Sequence, residues 1–243
     1  MNNPKIHVEN VSHRFRMNGH GMVSVLKNIT FHVHNGEFLA IVGPSGCGKS
    51  TLLNIMAGLE KQTSGKIINN SKETAMIFQN FAIFPWLNVF ENVEFGLKMQ
   101  GVKKIERDQI VKQKIKEVGL QGFEDKYPRE LSGGMKQRVG IARALAIEPN
   151  VLFMDEPFSS LDALTADVLR KEVLELWGKY QMTAVMVTHI IEEAVEMADR
   201  IIVLSKRPAE IVQIVTVDLP KPRDKRSPEF YKACDQIRKL IEI

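Results

Sequence analysis

Apolar and polar residues alternate along Val8-Glu9-Asn10-Val11-Ser12-His13-Arg14-Phe15 and along Leu26-Lys27-Asn28-Ile29-Thr30-Phe31-His32-Val33. A period of two predicts half-buried antiparallel strands, with Asn18-Gly19 and Gly21 marking the turn between them. After Asn35-Gly36, residues 38–42 are continuously apolar, as a strand covered on both faces requires. A glycine-bearing loop follows, then a helical pattern to about Ala57, stopped by Gly58. Two further apolar runs, 151–154 and 183–188, each lead into a polar loop and a helical pattern, and 201–204 is a fourth. Strand, loop and helix repeated in this way predict an α/β fold with a parallel sheet. Residues 89–146 carry no strand pattern but helical ones over 89–99, 105–118 and 132–146. They predict a helical subdomain of about residues 85–146, with Pro85 and Pro128 near its edges, inserted into one domain spanning 1–243. An amphipathic helix over about 228–241 ends the chain.

The loop after the first apolar run reads Gly43-Pro44-Ser45-Gly46-Cys47-Gly48-Lys49-Ser50, which matches G-x-x-x-x-G-K-[ST] between a buried strand and a helix. Glycines let backbone N–H groups turn toward phosphates, and the helix N-terminus adds the positive end of its dipole. In such a loop Lys49 reaches the β- and γ-phosphates and the Ser50 hydroxyl ligates Mg²⁺. Cys47 sits at a helix N-terminus, where a thiol pKa is expected to fall; a small filler residue would look the same. A second motif must hold the metal from another strand end. The run 151–154 ends in Asp155-Glu156. Asp155 suits the Mg²⁺ shell, and Glu156 is a candidate general base for the attacking water. Lys49 and Asp155 lie 106 positions apart, too far for adjacent βαβ units, so an insertion between them is expected.

Leu131-Ser132-Gly133-Gly134-Met135-Lys136-Gln137-Arg138 decides among phosphate-loop families. Ser132 is a natural N-cap, and Gly133-Gly134 leave backbone N–H groups open at a helix start, a second anion site. The segment resembles the signature motif of the ATP-binding cassette (ABC) ATPases, and the resemblance runs from about residue 5 to the terminal helix. Phe15 stands where that family places an aromatic ring that stacks on adenine; a core strand position would carry the same ring. Gln79 resembles the family glutamine that touches Mg²⁺ and the attacking water. Ser159-Ser160-Leu161-Asp162 resembles the D-loop, and His189 the switch histidine at the γ-phosphate. The resemblance implies an ATP-binding core with an antiparallel β-subdomain and a helical subdomain, and two such chains paired head to tail. It places the ATP phosphates on residues 43–51, including Thr51, with Mg²⁺ held by Ser50, Gln79 and Asp155. It assigns catalysis to Lys49, Gln79, Glu156 and His189. Ser132, Gly133, Gly134, Gln137 and Asp162 are implied as nucleotide contacts that complete the site.

Three classes of function share these motifs: an importer motor, an exporter motor, and a soluble switch on ribosomes or DNA. Exporter cassettes usually carry an acidic T-E-V-G-type stretch before the signature, where this chain has Asp125-Lys126-Tyr127-Pro128-Arg129-Glu130. Soluble cassettes usually fuse two copies or add coiled-coil inserts, and 243 residues hold neither. Among importers the chain resembles the nitrate, sulfonate and taurine group through Phe84-Pro85-Trp86-Leu87, residues 159–165 and residues 217–224, with Ala166 where that group often has Arg. Only 54 residues follow His189, too few for the regulatory domain of many sugar-importer ATPases. The implied partners are a second ATPase subunit, transmembrane permease subunits and, indirectly, a solute-binding protein. The implied place is the cytoplasmic face of the cell membrane, peripherally bound. Phe84, Pro85 and Trp86 are expected either to dock a permease helix or to be buried in the helical subdomain.

Composition changes this picture little. No apolar run approaches the roughly 18 residues of a membrane span. Met1-Asn2-Asn3-Pro4-Lys5 leads into no apolar stretch of the signal-peptide kind. Two cysteines, Cys47 and Cys234, form no disulfide framework and suit a reducing compartment. The net charge is +4, and residues 206–243 hold nine Lys/Arg against six Asp/Glu. These basic residues alternate with Pro and Asp and have no aromatic platform beside them, so a solvated tail, and no nucleic-acid partner, is expected.

Overall fold

The computed structural model describes residues 4–17 and 21–242; the turn expected at Asn18-Gly19 and the first three residues lie outside them. The chain forms two compact units: Met1–Lys72 with Gln181–Ile243, and Glu73–Tyr180.

In the first unit, strands β1 (Ile6–Met17), β2 (Gly21–Val33) and β4 (Ser64–Asn69) make an antiparallel sheet in the order β2-β1-β4. Ile6, Val8, Val11, Phe31 and Val33 bury one face of it. Register shifts on either side of Val11 and His13 interrupt the alternation of β1. Strands β7 (Thr183–Val187), β3 (Phe38–Val42) and β8 (Arg200–Leu204) run parallel, and β9 (Ile211–Thr216) pairs antiparallel with β8. All five residues of β3 and of β7 are buried, which is why both read as unbroken apolar runs. Helix α1 (Lys49–Met56) packs on β7 and α6 (Ile191–Met197) on β3. Helix α7 (Pro228–Ile241) covers α6 and β8 with Phe230, Cys234 and Ile237, an i, i+4, i+7 stripe, and is capped by Ser227. Burying Phe230 alone is worth about 2 kcal/mol.

In the second unit, β5 (Thr74–Ile77) and β6 (Val151–Asp155) pair in parallel. Helices α2 (Val89–Met99), α3 (Lys104–Glu117) and α4 (Gly133–Ala146) pack on one another, and α4 also meets β5 and α5 (Ala163–Tyr180). The compact unit is therefore wider than residues 85–146, because β5, β6 and α5 belong to it. The short strands β4, β5 and β9 are not apparent from periodicity: β4 and β9 are half-buried or exposed, so no apolar run marks them. Among the described residues no helix is long and apolar enough to cross a membrane.

Candidate functional site

The first unit supplies an anion cradle. From β3 the backbone enters a loop in which Gly46 (φ +71°) and Gly48 (φ +125°) adopt conformations that L side chains avoid. A Cβ on Gly48 would lie 2.8 Å from Val25 Cγ1, and one on Gly43 would lie 2.8 Å from the Leu204 carbonyl oxygen. Gly48 is thus required by backbone geometry and by packing, and Gly43 by packing alone. Helices α2, α4 and α7 start under the side chains of Asn88, Ser132 and Ser227, whereas α1 starts at Gly48 with no side-chain cap. An uncapped first turn offers its N–H groups to an anion. Ser45 and Gly46 are exposed, and Pro44, Ser50 and Thr51 are half-buried. The buried Lys49 donates from Nζ to the carbonyl oxygens of Gly43 and Pro44, at 3.0 Å each. This holds an ammonium group inside the loop.

The expectation for Cys47 is corrected here. The residue is 2% exposed, and burial pushes its thiol pKa up, outweighing the opposing charge of Lys49. The helix N-terminus does not compensate for a side chain packed under the loop, so close to Gly43 that a Cβ added there would lie 3.2 Å from its Sγ.

Two more expected residues lie in this unit. His189 is exposed at the end of β7. The turn before it is built from inside: Thr188 N donates to Ile41 O (3.2 Å), Thr188 Oγ1 to Glu193 Oε2 (2.8 Å), and Ile190 N to Thr188 Oγ1 (3.0 Å). The buried Glu193, on α6, is a supporting residue that the sequence did not single out. Phe15 is exposed near the end of β1, its ring edge-on to His13 with centroids 4.5 Å apart. The core alternative for Phe15 is thereby removed.

The second unit brings carboxylate, amide and hydroxyl groups together. Asp155 ends β6, half-buried, and Glu156 follows with φ +44°, a strained value for a non-glycine residue. Gln79 Nε2 donates to Glu156 Oε2 (3.4 Å) and to Ser159 Oγ (3.3 Å), while Ser159 Oγ donates to Glu156 O (2.9 Å). Asp162 caps α5, accepting from Thr165 N at 3.0 Å, and the side-chain and backbone hydrogen bonds of Thr165 hold its carboxyl below the usual range. Ser132 caps α4 through Met135 N (3.3 Å), with Ser132 and Gly133 exposed. A Cβ on Gly134 would lie 2.7 Å from Thr165 Cγ2, so the start of α4 rests directly on the start of α5.

Gln137 is 0% exposed in the single chain, on the α4 stripe shared with Ile141, Ala144 and Leu145. Spacing four from Ile141 puts it on the core face.

Two supporting residues had only a faint signal. Arg143 donates to the carbonyl oxygens of Ala82 (2.7 Å) and Phe81 (3.3 Å), where both residues have positive φ, and lies over the Phe84 ring. Asn92, fully buried, accepts from Phe84 N (2.8 Å) and donates toward Phe84 O, Leu87 O and Asn88 O. A polar residue in phase with Val89, Val93 and Leu97 on the buried face of α2 was the readable sign. Together they pin the segment carrying Trp86, which is 69% exposed and stacked in a cluster with Phe84 and Phe95.

The donor set fits Mg²⁺ and a nucleotide triphosphate. In the first unit the Ser50 hydroxyl is a hard oxygen donor and the uncapped α1 with its buried ammonium suits polyphosphate; in the second, the carboxylate of Asp155 and the amide oxygen of Gln79 are hard oxygen donors of the kind Mg²⁺ takes. The sequence profile of the ABC transporter family matches residues 26–159. The chain is 45% identical to the nitrate import ATP-binding protein of Synechocystis sp., over 91% of this chain and 89% of that protein. It is 44% identical to an aliphatic sulfonates import ATP-binding protein of Bacillus cereus, over 91% of this chain and 88% of that one. Its structure is similar to a dimeric, post-hydrolysis state of an ATP-binding cassette bound to ADP and Pi, with a TM-score of 0.78 and 32% identity over 87% of this chain and 98% of that chain. Cradle geometry, motifs and relatives converge, and the chain belongs to the ABC transporter family, as one of its ATP-binding, ATP-hydrolysing cassettes working with Mg²⁺.

Proposed function

We propose that this chain is the motor of an importer, acting as a head-to-tail pair on a separate permease fed by a solute-binding protein, with a small anion of the nitrate or sulfonate class as cargo. The observation that carries the reading is 45% identity to a nitrate import ATP-binding protein across nine-tenths of the chain.

In this reading the α1 N-terminus and Lys49 bind the phosphates, and Phe15 stacks on the base. Bound Mg²⁺ supplies charge neutralisation at the phosphates; Ser50, Asp155 and Gln79 are the residues that would hold it. Glu156 takes a proton from the water whose oxygen attacks the γ-phosphorus, and ADP departs with the electrons of the broken P–O bond. Its strained backbone and the Gln79 contact aim that carboxylate. His189 donates to a γ-phosphate oxygen, on a turn held by Thr188 and Glu193. The exposed α4 start of the second cassette, Ser132 to Gly134, closes over the same phosphate. The Trp86, Phe84 and Phe95 cluster, continuous with the Gln79 loop, receives a short cytoplasmic helix of the permease; its exposure in the free chain supports docking over burial.

The test is affinity purification of the tagged chain from solubilised native membranes. Co-purification of a permease, whose binding protein then takes up nitrate or a sulfonate in a titration, is the expected result. Recovery with ribosomes or DNA and no membrane protein overturns the importer reading.

A further inference from the structure

The imidazole of His13 is 5% exposed, and neither ring nitrogen has a hydrogen-bond partner among the described residues. The ring is therefore held by what packs against it and not by hydrogen bonds. Its surroundings suggest what it does. On one side its ring meets Phe15 edge to face, at 4.5 Å and 80°. On the other, Nε2 lies 3.6 Å from Glu60 Oε1, an ion pair when the ring is protonated.

Glu60 belongs to the loop that follows α1, and that loop is tied at both ends. Leu59 N and Glu60 N donate to Asn54 O on α1, at 2.9 and 3.3 Å. Thr63 N donates to Ser12 O (3.0 Å), and Arg14 N to Thr63 Oγ1 (3.0 Å), on β1. The other end of α1 is the phosphate loop itself. A continuous chain of contacts therefore runs from the phosphate cradle along α1, through residues 59–63, into the β1 segment that carries Phe15. His13 is the point where this chain touches the Phe15 ring.

We propose that His13 is a positioning residue for the nucleotide base, holding the Phe15 ring in register with the phosphate loop through the loop after α1. The inference rests on Phe15 being the base platform. His13 itself touches no nucleotide, since its ring nitrogens are shut off from solvent.

The experiment is calorimetric titration of the full chain with ADP and, separately, with inorganic pyrophosphate, both with Mg²⁺. Loss of a base-stacking ring in Phe15→Ala should weaken ADP about tenfold and leave pyrophosphate unchanged. His13→Ala should weaken ADP about fivefold, the size of one edge-to-face ring contact, again with pyrophosphate unchanged. The double variant should bind ADP within about twofold of Phe15→Ala, because the two changes remove one coupled unit. His13→Phe keeps a ring edge against Phe15 and should restore ADP affinity to within about twofold of the parent chain. Should His13→Ala not fold, His13→Leu fills the space without a ring and carries the same expectation.

Equal losses for ADP and pyrophosphate would mean general disruption and overturn the proposal. So would losses that multiply in the double variant, or a His13→Phe as weak as His13→Ala. A Phe15→Ala chain that binds ADP normally removes the base platform and the inference with it. If Phe15→Ala weakens ADP and His13→Ala does not, the platform stands and only the inference falls.

Discussion

Asn92 offers a quantitative test of how the exposed aromatic segment is held. Its Oδ1 accepts from Phe84 N at 2.8 Å, while Nδ2 faces the carbonyl oxygens of Leu87 (2.9 Å), Asn88 (2.9 Å) and Phe84 (3.1 Å). An amide nitrogen has two hydrogens, so three carbonyls share two donors and the side chain makes three full hydrogen bonds in all. At about 1 kcal/mol net for each, Asn92→Ala should cost about 3 kcal/mol. For a chain of this length that corresponds to a fall in Tm of about 10 °C. Asn92→Asp is nearly isosteric, yet it turns a carboxylate toward three carbonyl oxygens in a fully buried site and should be at least as damaging as Ala. Urea and thermal denaturation followed by circular dichroism measure both. A loss below about 1 kcal/mol for Asn92→Ala, or an Asp variant milder than Ala, would refute the accounting of these bonds.

Glu156→Gln should retain ATP binding while hydrolysis falls about 10²- to 10⁴-fold; phosphate release assays beside a nucleotide-binding assay decide, and normal turnover removes Glu156 from the role of base. Trp86→Ala, at a side chain 69% exposed, should change stability by no more than about 0.5 kcal/mol. It should abolish coupled uptake in vesicles while the free chain still hydrolyses ATP, and uncompromised uptake would exclude docking at this segment. Cys47 should resist iodoacetamide in the native chain at neutral pH, because its thiol is buried and its pKa raised; rapid labelling read by mass spectrometry would contradict that. For Glu117, burial pushes the carboxyl up, but hydrogen bonds from Lys179, Tyr180 and Gln113 outweigh it and hold the pKa at about 2, against an ordinary 4.5. A depressed folded pKa stabilises fully above the unfolded value and is lost as pH falls toward the folded one. The Tm gap between the parent and Glu117→Gln should therefore be widest above about pH 5, and close between there and about pH 2; a gap independent of pH would show that the bonds do not depend on the charge.

The elements that were legible in the chain are those whose cause is local or periodic. The α2 and α7 boundaries match their patterns, because an apolar stripe at helical spacing and a cap residue lie within one stretch of sequence. The buried strands β3 and β7 read as apolar runs because both faces are covered. The phosphate loop was equally legible, since its glycines answer to backbone conformations set within eight residues. Strands β4, β5 and β9 were not, because a short edge or half-exposed strand owes its pairing to a distant partner rather than to its own pattern.

The site divides in the same way. Which residue types can bind phosphate, hold a hard cation or take a proton is a property of side chains and short spacings, and those residues were named from the sequence. Whether a side chain reaches solvent is a property of what packs over it. That is why Gln137, inside a recognisable motif, turns into the core, and why the thiol of Cys47 is raised by burial where a helix N-terminus alone would lower it. The same holds for the supports. Arg143 reaches back 61 and 62 positions to the carbonyls of Ala82 and Phe81, and Thr63 reaches 49 to Arg14. Contacts across such separations leave no periodic trace in the chain, so the chemistry of this cassette was written in its motifs, and only the tertiary structure decided which side chains stand ready to use it and which hold the others in place.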